Sequence, residues 1–126
     1  MDDLYREIIL DHYKHPRNVG EIFHPSCSAE KDNPLCGDEF RMDLNIHNDK
    51  VIDVLFSGQG CAISTASASL LTEYIKDKKI KDLRRLSKDD IVNLLGSELT
   101  PARLKCALLP LEVIHTALKN YETKKR

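Results

Sequence analysis

The amino-acid sequence predicts an α+β fold: a small antiparallel sheet of about three strands, covered on one face by helices, with a helix leading the chain. Three observations predict it. The first dozen residues repeat their apolar side chains at helical spacing. The middle of the chain alternates apolar and polar residues as a half-buried hairpin does. After Gly58-Gln59-Gly60 the pattern returns to helix, punctuated by caps and prolines. A helix, a hairpin and then several helices leave one apolar sheet face for the helices to cover.

The leading helix runs from Asp3 to about Tyr13, with Leu4, Tyr5, Ile8, Ile9, His12 and Tyr13 at helical spacing. Pro16 limits it, and His15-Pro16-Arg17-Asn18-Val19-Gly20 reads as a turn-rich exit. A first strand is expected around Ser28 to Asp32. In the next, Phe40, Met42, Leu44 and Ile46 alternate with Arg41, Asp43, Asn45 and His47, a period of two with one face buried. Asn48-Asp49-Lys50 turns the chain, and Val51 to Ser57 continues with Ile52, Val54 and Phe56 on one face.

Cys61 to about Lys76 is rich in Ala, Ser, Leu and Ile and holds neither Pro nor Gly, so it reads as helix. Ser87 and Asp90 resemble a capping box that opens a short helix ending near Gly96. Thr100-Pro101 is a cap followed by proline at the first helical position, and the apolar pattern then runs to about Tyr121. Pro110 must kink or restart that helix. Leu70, Leu71, Ile75 and Ile80 are core candidates.

At 126 residues, with no repeat, linker or low-complexity stretch, the chain is expected to form one domain over residues 1–126. An apolar content of 41% suffices for a core, and 31% charged residues suit a solvated surface. A net charge of -1 argues against a nucleic-acid partner, which calls for a basic patch. Lys124-Lys125-Arg126 reads as a solvated tail. The opening Met1-Asp2-Asp3-Leu4 does not match a secretory signal, and no apolar run approaches the ~20 residues a membrane crossing needs. The expected location is the cytoplasm, where thiols stay reduced and cysteines serve as ligands, nucleophiles or small apolar residues.

Three of the four cysteines stand where the backbone changes direction. Cys36 lies in Asn33-Pro34-Leu35-Cys36-Gly37-Asp38, just before a strand, and Cys61 follows Gly58-Gln59-Gly60 at the start of a helix. Cys106 lies in the first turns of the last helix. A helix start carries partial positive charge and unpaired N–H groups, both of which favour thiolate, the form that ligates metal and accepts sulfur. Asp38 adds a hard oxygen donor. Three thiolates and one carboxylate suit tetrahedral zinc, with bonds of about 2.3 Å to sulfur and about 2.0–2.2 Å to oxygen. The same set can hold iron–sulfur irons, less firmly through the carboxylate, which suits a carrier that releases its cluster. Each cysteine taken singly reads more readily as a buried small hydrophobe than as a ligand, and no C-x-x-C pair is present.

Asn33-Pro34-Leu35-Cys36-Gly37-Asp38, Gly58-Gln59-Gly60-Cys61-Ala62-Ile63-Ser64 running into Ala66-Ser67-Ala68-Ser69, and Arg103-Leu104-Lys105-Cys106 resemble, in order, the three signature blocks of the NifU/IscU/SufU family. Leu4-Tyr5, Asp11-His12-Tyr13 and His15-Pro16-Arg17-Asn18 are similar to its N-terminus. The resemblance implies a scaffold for iron–sulfur cluster assembly, a sulfur carrier more than an ordinary enzyme. Such a scaffold accepts sulfur from a cysteine desulfurase, takes iron from a donor, and passes a transient cluster to apo iron–sulfur proteins. It implies Cys36, Asp38, Cys61 and Cys106 as ligands of the cluster or of zinc, and the three cysteines as sulfur acceptors. Cys106 is the preferred first acceptor, with Arg103 and Lys105 supporting its thiolate by positive charge.

Lys105 stands where scaffold-type members carry histidine, so the third block is SufU-like and implies the alternative of a zinc-dependent sulfurtransferase that relays persulfide sulfur. The short Leu83–Leu99 segment lacks the insertion of that branch. Leu99-Thr100-Pro101-Ala102-Arg103 also departs from the Leu-Pro-Pro-Val-Lys stretch that a dedicated chaperone reads in scaffolds. A third reading is a structural zinc module, for which Asp38→Ala is expected to weaken folding. Cys27 lies outside every block and reads as incidental. His12 and His15 read as packing or capping residues, and His24, His47 and His115 show no ligand spacing. Ser64, Ser67 and Ser69 read as a tightly packed helix face, not a nucleophile set.

Overall fold

The computed structural model describes residues 3–34, 37–96 and 98–125. Helix α1 (Asp3–Lys14) is followed by strands β1 (Cys27–Asn33), β2 (Asp38–His47) and β3 (Lys50–Gln59). Helices α2 (Ala62–Ile75), α3 (Ile80–Leu83), α4 (Lys88–Leu95) and α5 (Pro101–Lys125) complete the chain. The strands form one antiparallel sheet in the order β1-β2-β3, so the α+β architecture expected from the sequence is the one observed. The one-turn helix α3 carried no sequence signal.

The hairpin turns through Asn48 and Asp49, both at positive φ (52° and 61°), between the paired residues His47 and Lys50. Two left-handed residues match the twist of the flanking strands, and Asn and Asp adopt that region more readily than most. Phe40, Met42 and Leu44 of β2 and Val54 and Phe56 of β3 are buried on the helix side of the sheet. Ile46 is only partly buried at its edge. Helix α5 lies along β1 and β2, and α2 meets β3, α1 and α5. Leu71 and Ile75 from α2, Ile91 and Leu95 from α4, and Val113, Ile114 and Leu118 from α5 complete the core.

Two departures from the expected pattern have physical causes. Asn45 pairs with Asp53 but Ile46 pairs with Val51, so Ile52 is an extra residue in β3. This bulge resets the alternation: Val51 is buried and Ile52, expected beside Val54 and Phe56, is 52% exposed. Asp43, expected on the solvated face, is buried. The chain after α1 crosses that face, where Ile22 N donates to Asp43 Oδ2 at 3.0 Å and Arg41 Nε donates to Oδ1 at 3.1 Å. The same segment joins the β3 edge, with Gly20 N donating to Phe56 O and Phe56 N to Asn18 O, each at 2.8 Å.

The caps form largely as their residue types dictate. Asp90 Oδ2 accepts the Ser87 backbone N–H at 2.8 Å at the start of α4, and Gly96 closes that helix in the left-handed region at φ 73°. Thr100 Oγ1 accepts from Arg103 N at 3.4 Å at the start of α5. Pro110 does not restart α5, which is continuous from Pro101 to Lys125. In α1, Ile9 and His12 are buried while Tyr13 is 43% exposed. His12 is a packing residue, as expected: its Nδ1 lies 2.7 Å from Ser69 Oγ on α2, and Ser69 Oγ also accepts Arg17 N at 2.9 Å.

Truncating Leu71, which has no exposed surface, should lower stability by about 2–5 kcal/mol in urea unfolding, whereas Ile52→Thr at the bulge should change it by less than about 0.5 kcal/mol. A large loss at Ile52 would contradict the bulged register. Burial, followed by the Arg17 charge, holds the His12 imidazole below its ordinary value of 6.5, against Glu73 and Asp11. A depressed folded value makes the native state bind its proton later than the unfolded chain does. His12 therefore contributes stability above about pH 6.5 that is lost as pH falls below it. The thermal midpoint should drop between pH 7 and pH 5, and by less in His12→Asn.

Candidate metal centre

The pairing of β2 with β3 brings the first two candidate ligands together. Glu39 pairs with Gln59, so the beginning of β2 lies beside the end of β3, and Asp38 comes next to Gly60-Cys61. Asp38 is 1% exposed. Its Oδ1 accepts the Cys61 backbone N–H at 2.9 Å, and its Oδ2 lies 3.8 Å from Cys61 Sγ. Cys61 is the N-cap of α2, and its sulfur accepts Ser64 N–H at 3.4 Å. Ser64 Oγ lies 3.4 Å from the same sulfur and donates to the Cys61 carbonyl at 3.1 Å. The Cys61 thiol is exposed at the N-terminus of α2.

Packing of α5 against α2 supplies the third candidate ligand. One atom each from Asp38, Cys61 and Cys106 lie within 4.8 Å of one another, with Asp38 buried, Cys61 exposed and Cys106 between. Sulfurs bound to one tetrahedral zinc stand about 3.8 Å apart, from bonds of about 2.3 Å. The observed spread is within about an ångström of that spacing, and the donor types are those that zinc takes, so the donor set fits a metal ion. Cys36, expected as the fourth member, lies outside the described residues. Arg103 and Lys105 are exposed on the first turns of α5.

Glycine is required at two places. Gly58 has φ 117°, and a Cβ there would run into the backbone carbonyl of Glu39 across the strand pair. A Cβ on Gly60 would stand 2.8 Å from Phe40 Cζ and 2.9 Å from Asp38 Oδ1, and would also meet Ser64 Oγ. The glycine therefore leaves room for the carboxylate to reach the Cys61 N–H.

Cys27 is 8% exposed at the start of β1, and burial pushes its thiol up to about 11. A thiol so raised stays protonated at neutral pH, which suits a packing role. Of the histidines, His115 Nε2 contacts the Leu83 carbonyl at 3.3 Å, while His15, His24 and His47 are exposed. Ser64, Ser67 and Ser69 are all buried, as the packed-face reading expects.

Sequence reasoning missed the second role of Asp38. Because its carboxylate holds the Cys61 N–H, its removal weakens the start of α2 whether or not the metal is structural. Loss of stability in Asp38→Ala therefore does not separate a structural zinc module from a carrier. Nothing in residue spacing signals this bond; it follows from the strand register.

A small α+β protein that presents two accessible thiols beside a buried carboxylate, at the shared end of its sheet and helices, is of the class that handles metal or sulfur through thiolates. The pattern that defines the NifU-like N terminal domain matches residues 4–126, and the chain belongs to that family. It is 37% identical to the zinc-dependent sulfurtransferase SufU of Bacillus subtilis, with 97% of this chain and 94% of that protein covered. It is 39% identical to the iron–sulfur cluster assembly scaffold protein IscU of Aquifex aeolicus, with 95% and 77% covered. Its fold matches the crystal structure of a putative iron–sulfur cluster assembly scaffold protein for the SUF system from Fervidobacterium islandicum. There the TM-score is 0.75 and the identity 31%, with 89% of this chain and 94% of that chain covered. The alignment with SufU runs over 139 positions, more than the 126 residues of this chain, so SufU carries residues that this chain lacks. The alignment with IscU runs over 122.

Gly60→Ala should lower stability by about 1–3 kcal/mol, because Phe40 or the Asp38 carboxylate must move. It should also weaken zinc binding relative to the parent in a chelator competition. Unchanged stability and affinity together would show that the loop has room the structure denies it.

Proposed function

We propose that this chain is a cytoplasmic scaffold for iron–sulfur cluster assembly, which accepts sulfur from a cysteine desulfurase and holds a transient cluster for transfer to apo-proteins. The convergence of Asp38, Cys61 and Cys106 carries this reading, with Cys36 as the fourth ligand. The accessible thiols suit attack on the outer sulfur of a desulfurase persulfide. The sulfur–sulfur bond breaks, the desulfurase cysteine leaves as thiolate, and the persulfide now sits on this chain, with no net oxidation. Cluster formation then needs iron from a donor and reducing equivalents to convert that sulfur to sulfide.

Cys106 is the preferred first acceptor, with Arg103 and Lys105 supplying positive charge on the same helix. The carboxylate of Asp38 is the hard member of the set and holds soft iron less firmly than a fourth thiolate would. This favours release of the cluster. Among the described residues no helix is long and apolar enough to cross a membrane.

The second reading, a zinc-dependent sulfurtransferase, is favoured by Lys105 and by the likeness to the Bacillus protein. In it the same residues hold zinc until a group from the desulfurase displaces one of them. The residues that the Bacillus protein carries within the alignment and this chain lacks favour the scaffold.

Anaerobically purified protein, analysed for metal and then incubated with iron, cysteine and a desulfurase, separates the two. A scaffold should develop the visible absorption of an iron–sulfur cluster, and Cys106→Ser should lower sulfur loading at least tenfold. Tight stoichiometric zinc with no cluster formed would establish the relay instead. Full loading of Cys106→Ser would remove Cys106 as first acceptor.

A further inference from the structure

Two of the candidate ligands belong to helices that are tied together one residue away from the site. Ser67 of α2 is 2% exposed, and its hydroxyl donates to the backbone carbonyl of Ala107 at 2.6 Å. Ala107 is fully buried and follows Cys106 directly. Cys61 caps the same helix that carries Ser67, six residues earlier, which is about 9 Å along a helix axis. The backbone of the α5 turn that presents Cys106 is thus hydrogen-bonded to the helix that presents Cys61.

That turn needs an outside tie. Pro110 is buried within α5 and has no N–H, so the helical bond from residue 110 back to Cys106 cannot form, and the proline ring crowds the carbonyl four residues back. A helix segment that lacks one rung of its ladder bends more readily. Here the bend would move Cys106 relative to Cys61 and Asp38, whose own positions are set by the sheet register and the Asp38–Cys61 bond. The Ser67 hydroxyl donates to the carbonyl next to the missing rung.

We propose that Ser67 is a positioning residue for the metal centre: its bond to the Ala107 carbonyl sets the distance of the Cys106 thiol from Cys61 and Asp38. The inference rests on the reading of these residues as ligands. Ser67 touches neither metal nor sulfur. It acts on affinity by keeping the donor atoms close before an ion arrives, so that the free energy of binding is not spent in gathering them. Outer-shell groups of this kind change metal affinity by about 10–100-fold when removed.

The other buried serine of this helix provides the control. Ser69 has the same chemistry and no exposed surface, but its hydroxyl meets His12 and Arg17 on the α1 side. Zinc affinity of the parent, Ser67→Ala and Ser69→Ala is measured by competition with a chromophoric chelator under anaerobic conditions. The thermal midpoint of each chelator-treated protein is measured alongside. Ser67→Ala should bind zinc about tenfold or more weakly, and its cobalt complex should show altered ligand-field bands. Ser69→Ala should lower the midpoint at least as much while keeping zinc affinity within about twofold of the parent. Zinc affinity of Ser67→Ala within twofold of the parent, or equal weakening in both variants, would overturn the proposal and leave Ser67 as a packing residue. A parent that takes up no zinc and no cluster would overturn the metal-centre reading itself, and the positioning role with it.

Discussion

The hydrogen bond from the Cys61 backbone N–H to the buried Asp38 carboxylate is the constraint on which the site depends. It joins the beginning of β2 to the beginning of α2 at 2.9 Å, at the point where the chain leaves the sheet. A carboxylate with almost no exposed surface is costly to bury unless its charge is met. Here the donated N–H and the positive end of α2 meet part of it, while the second oxygen lies beside the Cys61 sulfur. The bond that helps satisfy Asp38 in the fold is thus also the one that sets it beside the Cys61 thiol. A site built in this way gives one residue two duties, and substitutions there report on both.

Much of this was legible in the sequence. Alternation in β2, the left-handed turn residues at 48 and 49, the Ser87–Asp90 cap and Thr100-Pro101 are local signals, because the physical demand and the residue that meets it lie within a few positions. The sequence also named Asp38, Cys61 and Cys106, through their placement at changes of backbone direction and the likeness of three blocks to a known family. The departures at Ile52, Asp43 and Asp38 are non-local. Ile52 moves out of the core because a bulge lies between Asn45 and Ile46 in the partner register. Asp43 is buried because a segment from twenty residues earlier crosses it. The Asp38 bond to Cys61 spans 23 residues, and no periodicity encodes it.

The affinity of the chain for both a zinc-dependent sulfurtransferase and a cluster scaffold is reasonable on the chemistry of the donors. Two thiols and a buried carboxylate that converge within 4.8 Å form a donor set that suits a tetrahedral zinc or the irons of a cluster. Fold and candidate donors alone therefore leave the cargo to other features: the residue before the third cysteine, which is Lys105, and the residues that SufU carries within its alignment and this chain lacks. These two features point in opposite directions. Lys105 bears on whether a further donor is at hand at the third block.

Helix α2 explains why one element can serve both the core and the site. Its buried face carries short hydroxyl side chains in place of a continuous apolar stripe, and each points to a different neighbour. Ser64 holds the Cys61 carbonyl, Ser67 the Ala107 carbonyl of α5, and Ser69 the His12 ring of α1; the Thr72 hydroxyl accepts from Asn18. Small residues let the three surrounding elements approach closely, and directional bonds then fix how they sit, which apolar contact alone does less sharply. A helix packed by leucines in these places would keep α1 and α5 farther off and free to slide by fractions of an ångström. For a core that slack is tolerable. For thiols proposed to close on one ion it is not, because a metal–sulfur bond tolerates only about 0.2 Å of error. On that proposal Ser67 belongs to the centre as a positioning residue, while Ser69 serves the packing of α1.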